Sequence, residues 1–102
     1  MSKKNKKFNT KAIHVGQEPE KLYGSVSLPI HLTSTFKQQE FGEYEYDYSR
    51  AGNPTRTNLE NNIASLEEGK AAIAFSSGMA AISAVIHLLS SGDEVIFTRN
   101  VY

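Results

Sequence analysis

The chain has no cysteine and no tryptophan, and only three prolines in 102 residues. Without cysteine there is no disulfide framework and no thiolate metal site. Neither sign of charge is in surplus, because 11 basic side chains face 11 acidic ones. No net field gathers nucleic acid or an anionic membrane surface, so neither is expected as a partner. Long apolar runs are also missing. The longest, Ala80 to Leu89, is interrupted by Ser83 and His87 and is too short to span a bilayer. The N-terminus, Met1-Ser-Lys-Lys-Asn-Lys-Lys7, is charged, but no apolar stretch follows it as a secretory signal requires. A soluble cytoplasmic protein is expected, with one domain at most and a modest core.

Residues 1–8 read as a disordered basic tail. Residues 9–53 show no sustained period and are punctuated by Gly24, Pro29, Gly42 and Gly52. A stretch of that length is not an ordinary loop inside a compact domain. It reads as an extended arm that rests on another surface, because Leu28, Ile30, Leu32, Phe36 and Phe41 need something to pack against. From Asn53 the pattern sharpens. Asn53 can cap a helix, with Pro54 at its first position, where a missing N–H costs nothing. Leu59, Ile63 and Leu66 then form one apolar face, and Gly69 is a natural stop. Ala71 to Phe75 reads as a strand buried on both faces, Met79 to Ser90 as an apolar helix ending near Gly92, and Val95 to Phe97 as a second strand. Strand, helix and strand in that order predict a βαβ unit in a parallel sheet, so the fold class is α/β.

Two segments could hold an anion. In Phe75-Ser-Ser-Gly-Met79 a strand turns directly into a helix whose unpaired N–H groups and dipole favour negative charge. Gly78 lets the backbone approach a ligand, and Ser76 and Ser77 can add hydroxyl donors. Such turns are common and many bind nothing. This one is neither a Walker loop nor a dinucleotide fingerprint, since the glycines and lysine those require are missing. In Tyr48-Ser-Arg-Ala-Gly-Asn-Pro-Thr55 a phenol and a guanidinium stand two residues apart, and on an extended segment both would point to one side. Arginine grips phosphate with a planar fork, and a tyrosine hydroxyl can add a donor. The competing interpretation is an aromatic surface strand, because Tyr44, Tyr46 and Tyr48 alternate. His14, His31 and His87 have no metal-ligand spacing. Arg56 is most simply a first-turn surface residue, and Met79 fills space.

Taken together, these segments resemble the pyridoxal-phosphate enzymes of cysteine and methionine metabolism, the trans-sulfuration enzymes. The resemblance rests on Thr10-Lys-Ala-Ile-His-Val-Gly16, Pro29-Ile-His-Leu-Thr-Ser-Thr-Phe-Lys37, Tyr48 to Thr55, Leu66-Glu, Phe75 to Ala80 and Val101-Tyr102. They occur in the right order along nearly all of the chain after the basic tail. The wording around Thr35-Phe-Lys-Gln38 and the Leu-Leu-x-x-Gly-Asp segment looks closest to cystathionine γ-lyase. The resemblance implies a homotetramer of tight dimers and the large-domain fold of aspartate aminotransferase (fold type I), with residues 54–102 as the start of the pyridoxal-phosphate-binding domain. It implies that the Gly78 and Met79 amides hold the cofactor phosphate. Tyr48 and Arg50 would reach the phosphate of the neighbouring identical subunit's cofactor, residues 9–53 would clasp that neighbour, and Tyr102 would stack on the pyridine ring.

Members of the family are much longer than this chain. Their Schiff-base lysine, the aspartate on the pyridine nitrogen and the arginine on the substrate carboxylate have no counterpart in it. The chain is therefore expected to be the N-terminal part of a carbon–sulfur lyase, inactive alone, whose parent acts on a sulfur amino acid. The leading activity is α,γ-elimination of cystathionine to cysteine, 2-oxobutanoate and ammonia. Methionine γ-lyase and cystathionine γ-synthase are the alternatives within the family. A non-catalytic chain that pairs with full-length subunits is the alternative from another class.

Overall fold

A computed structural model describes residues 6–101. Its helices are α1 (Phe8–His14), α2 (Pro54–Leu66) and α3 (Gly78–Ile86). α2 begins as its sequence suggests. Asn53 is extended, its side-chain oxygen accepts the Thr55 N–H at 2.9 Å, and Pro54 is the first helical residue. The end of α2 differs in detail from the expected glycine stop. Glu68, not Gly69, takes the left-handed conformation (φ 55°), and the Gly69 N–H closes the helix onto the Ala64 carbonyl at 2.9 Å.

α1 lies in the stretch read as an extended arm, which is therefore not extended throughout. It has no side-chain cap at its start. Its end is fastened by a residue of α2: the Asn62 amide donates to the carbonyls of Lys11 (3.2 Å), Ala12 (3.2 Å) and Val15 (2.8 Å). The Lys11 carbonyl also takes the Val15 N–H at 3.0 Å, but those of Ala12 and Val15 are orphan acceptors of a helix C-terminus, satisfied here from a distant part of the chain. Lys11 also meets Glu68 at 3.3 Å, but the Glu68 side chain is 81% exposed, so that pair is worth less than about 1 kcal/mol. The chain leaves α1 through Gly16 at φ 70°, where an added Cβ would stand 2.4 Å from the Asn58 carbonyl oxygen. α1 can approach α2 this closely only because residue 16 lacks a side chain.

α3 is capped by Ser77, whose hydroxyl accepts the Ala80 N–H at 3.2 Å. It ends at Ile86, short of the expected Ser90. Leu88 and Leu89 donate three residues back, to Val85 (3.1 Å) and Ile86 (3.0 Å), and a turn with Gly92 at φ 98° follows.

The expected strands at 71–75 and 95–97 carry no ladder, and no strand forms among the described residues. A strand exists only through a partner. The Ala74 N–H bonds instead to the Glu60 carboxylate, at 2.8 Å. Backbone pairing occurs in the arm, where Thr35 and Tyr48 form an antiparallel bridge flanked by Phe36 N–H to Asp47 (2.8 Å) and Ser49 N–H to Ser34 (2.9 Å). Of the alternating tyrosines Tyr48 takes part in this pairing and Tyr44 and Tyr46 do not, though the Tyr46 and Phe36 rings are 5.6 Å apart. The basic tail falls largely outside the described residues, and so does Tyr102.

Ala64 is the one buried apolar side chain among the described residues. The accessible surface is 9479 Å², against about 5,700 Å² for a compact chain of this mass. The radius of gyration is 17.7 Å, against about 13 Å. Leu32, Phe41 and Ile96 are almost wholly exposed. Ile82, Val85 and Ile86 of α3 and Leu89 beyond it line an apolar groove of about 390 Å³ with Val95, Ile96 and Phe97. No described helix is long and apolar enough to cross a membrane.

Residues 20–25 form a small loop closed by one carboxylate. Glu20 accepts the N–H groups of Leu22 (2.7 Å), Tyr23 (2.5 Å) and Ser25 (3.4 Å). The Leu22 bond first, with those of the following residues, holds its pKa below the ordinary 4.5 against an opposing desolvation. A depressed carboxylate contributes stability above its ordinary value, and that contribution is lost as pH falls through the folded-state value. The Leu22 and Tyr23 amide resonances are therefore expected to shift together below pH 4.5. Glu20→Gln should abolish that joint titration; if the resonances still titrate, the carboxylate does not close the loop.

Gly16→Ala is expected to destabilise the α1–α2 packing by about 1–3 kcal/mol, through strain at positive φ plus the clash with Asn58. Gly24→Ala, also at positive φ (71°) but with nothing within 4 Å, is the control and should cost less. Denaturant melts followed by helical circular dichroism separate the two. Equal effects would mean that the close approach contributes nothing.

Candidate functional site

The Tyr48–Ala51 segment is a turn rather than an extended run. The N–H groups of Ala51 and Gly52 both bond to the Tyr48 carbonyl at 2.9 Å. Tyr48 and Arg50 nevertheless meet, because the guanidinium lies over the phenol ring, 4.6 Å from its centroid. Such a cation–π contact holds the two groups side by side while leaving the guanidinium N–H donors free for an anion. Both residues are exposed.

The turn is secured from several sides. Ser49 donates its N–H to Ser34 (2.9 Å) and its hydroxyl to the Thr33 carbonyl. The Asn53 amide donates to the Ser49 hydroxyl (3.0 Å) and the His31 carbonyl (3.1 Å). The Arg56 guanidinium donates to the carbonyls of Ser49 (3.4 Å) and Ala51 (2.7 Å). Arg56 is thus not the free surface residue that its position suggested. A Cβ at Gly52 would stand 3.2 Å from the Tyr46 ring, close enough that the ring would have to shift slightly.

The second segment is the start of α3. The Ser77 hydroxyl takes the Ala80 N–H, and the Ser77 carbonyl takes the Ala81 N–H at 3.2 Å. The amides of Gly78 and Met79 then remain without a partner among the described residues. The space before Gly78 is open, with nothing within 4 Å of where a Cβ would stand. Two free N–H groups at the positive end of a helix, unobstructed, suit an anion. No hydrogen bond, ion pair or ring contact joins this segment to Tyr48 or Arg50 among the described residues. No group of three His, Cys, Asp or Glu stands together as a metal site among them.

Comparison with known proteins bears on what these halves serve. The sequence profile of the Cys/Met metabolism PLP-dependent enzymes matches residues 9–102. The chain belongs to that family. It is 53% identical to a cystathionine beta-lyase of Lactococcus lactis over 93% of its length. It is 50% identical to a cystathionine gamma-lyase of Bacillus subtilis over 94% of its length. The crystal structure of cystathionine gamma-lyase from Lactobacillus plantarum superimposes with a TM-score of 0.78, at 49% identity, over 86% of the chain. The chain spans about a quarter of these relatives: 25%, 26% and 23% respectively. Over this stretch a beta-lyase and a gamma-lyase are matched equally well, so the sequence here does not separate the two reactions. The family's cofactor is pyridoxal 5′-phosphate. The open amides of Gly78 and Met79 and the paired side chains of Tyr48 and Arg50 have the donor chemistry that its phosphate takes.

Replacing Ser77 with alanine removes the cap that keeps the α3 amides in register. The loss is expected to be about 1 kcal/mol, and Ser77→Asn should restore most of it. Hydrogen exchange at Ala80 checks this directly. Unchanged exchange in Ser77→Ala would show that the hydroxyl does not cap the helix.

Proposed function

We propose that this chain forms the cofactor-phosphate-binding part of a carbon–sulfur lyase acting on cystathionine, with the fold of the aspartate-aminotransferase large domain. The observation that carries this is the pair of open amides at Gly78 and Met79, in a chain whose family binds pyridoxal phosphate. The Gly78 and Met79 N–H groups would grip the phosphate of the chain's own cofactor. Tyr48 and Arg50 would donate to the phosphate bound by a neighbouring identical subunit. The separation of the two halves within one chain supports a shared site, and so do the exposed apolar groups Ile30, Leu32 and Phe41 in the arm. Tyr102 would lie against the cofactor ring, where an aromatic face excludes water. When bound, the cofactor supplies an electron sink for negative charge developing beside the substrate's amino group.

The parent activity is α,γ-elimination of cystathionine, giving cysteine, 2-oxobutanoate and ammonia, in a homotetrameric enzyme. The second reading is β-elimination, kept because a beta-lyase is matched as well as a gamma-lyase over this stretch. Assaying the full-length protein for 2-oxobutanoate against pyruvate from cystathionine separates them. The chain alone is expected to carry no turnover, because no lysine falls in the sequence between Lys70 and the end of α3.

In the full-length protein Arg50→Ala is expected to weaken cofactor binding about tenfold or more, since a charge-assisted bond to phosphate is worth roughly 1.5–3 kcal/mol. Each subunit's fold should survive, because Arg50 is exposed. Mixing Arg50→Ala subunits with subunits that lack the cofactor-carrying lysine should restore one working site per dimer. If mixing restores nothing, Arg50 acts within its own chain or not at all.

A further inference from the structure

The two phosphate-facing segments make no direct contact, yet a single pair of side chains on α2 touches the backbone of both. The Arg56 guanidinium donates to the carbonyls of Ser49 and Ala51, on either side of Arg50. Its Nε lies 3.6 Å from a Glu60 carboxylate oxygen, one helical turn on. That same oxygen accepts the Ala74 N–H at 2.8 Å, three residues before the Ser77 cap. We propose that Arg56 and Glu60 are positioning residues: a polar brace across α2 that sets the Tyr48–Arg50 turn and the approach to the Gly78–Met79 amides relative to one helix. The inference rests on the phosphate roles proposed above for those four residues.

Three observations favour a positioning role over an incidental surface pair. First, both side chains are half-buried, with 34% and 21% of their area exposed. Second, an arginine followed by a glutamate four residues later is the less favourable order for a helical ion pair, so the pair gains little from its own helix. Third, both groups are engaged by backbone atoms outside α2. A carbonyl fixed by a guanidinium and an amide fixed by a carboxylate restrain the chain itself rather than a mobile side chain. Neither residue touches the phosphate in this arrangement. Each orders what does.

The test uses the full-length protein and two probes: pyridoxal 5′-phosphate, and pyridoxal, which lacks the phosphate. The ratio of the dissociation constant of pyridoxal to that of pyridoxal 5′-phosphate isolates the phosphate grip. Arg56→Ala and Glu60→Ala are each expected to reduce that ratio roughly three- to tenfold, the effect of losing one supporting hydrogen bond. The double substitution should be no worse than the larger single one, because the two act through one brace. Arg56→Lys and Glu60→Gln keep the volume of the side chains. Glu60→Gln should fall between wild type and Glu60→Ala, since its amide oxygen can still accept from Ala74. Equal losses for both probes, or additive losses in the double substitution, would overturn the brace. Arg50→Ala in the same series distinguishes the two levels. If it lowers the ratio while Arg56→Ala and Glu60→Ala do not, the brace alone fails. If it leaves the ratio unchanged, the phosphate reading fails and the brace with it.

Discussion

The polar side chains of α2 are the constraint on which the rest of this chain depends. Asn53 starts the helix and holds Ser49 and His31, Asn62 ends α1, and Arg56 with Glu60 ties the turn at 48–51 to the segment before α3. Apolar burial supplies little, because Ala64 is the one buried apolar side chain among the described residues. The magnitudes matter here. A net intramolecular hydrogen bond contributes about 0.5–1.5 kcal/mol, while ordering each residue costs about 1–2 kcal/mol. A handful of such bonds can direct the path of a chain but cannot hold it. The apolar groove between α3 and Val95–Phe97, and the exposed apolar groups of the arm, are where the missing stabilisation would have to come from.

What could be read from the sequence was local. Asn53-Pro54 and Ser77-Gly78 mark their helix starts because capping depends on neighbours two or three residues away. The alternation of Tyr44, Tyr46 and Tyr48 suggested a strand, but Tyr48 alone of the three is bridged. What could not be read was set by distant partners. α1 has no cap of its own and is finished by Asn62, some 47 residues beyond the carbonyl it holds, so nothing near Phe8–His14 announces it. The expected strands fail for the converse reason: Ala71–Phe75 has the composition of a buried strand, but a ladder needs a partner that is not among the described residues. Arg56 and Glu60 carried only a helical i,i+4 spacing, which does not show that their outer contacts would be backbone groups from two separate segments.

The site has the same character. The residues were legible one by one, and the relation between them was not. Tyr48 and Arg50 are held together by a turn and a cation–π contact, and Gly78 and Met79 by a cap, yet the two pairs do not meet within the chain. The proposal takes the second grip from a neighbouring copy, which accords with an arm whose Ile30, Leu32 and Phe41 stay exposed. Beta-lyase and gamma-lyase relatives match this stretch at 53% and 50% identity, as expected if it serves the cofactor that both reactions share.

The most direct measurement is a structure of the full-length protein with pyridoxal 5′-phosphate bound. The account expects the phosphate to accept from the Gly78 and Met79 amides of one subunit and from Tyr48 and Arg50 of its neighbour. A phosphate held by all four residues of a single subunit, or bound away from the start of α3, would contradict it.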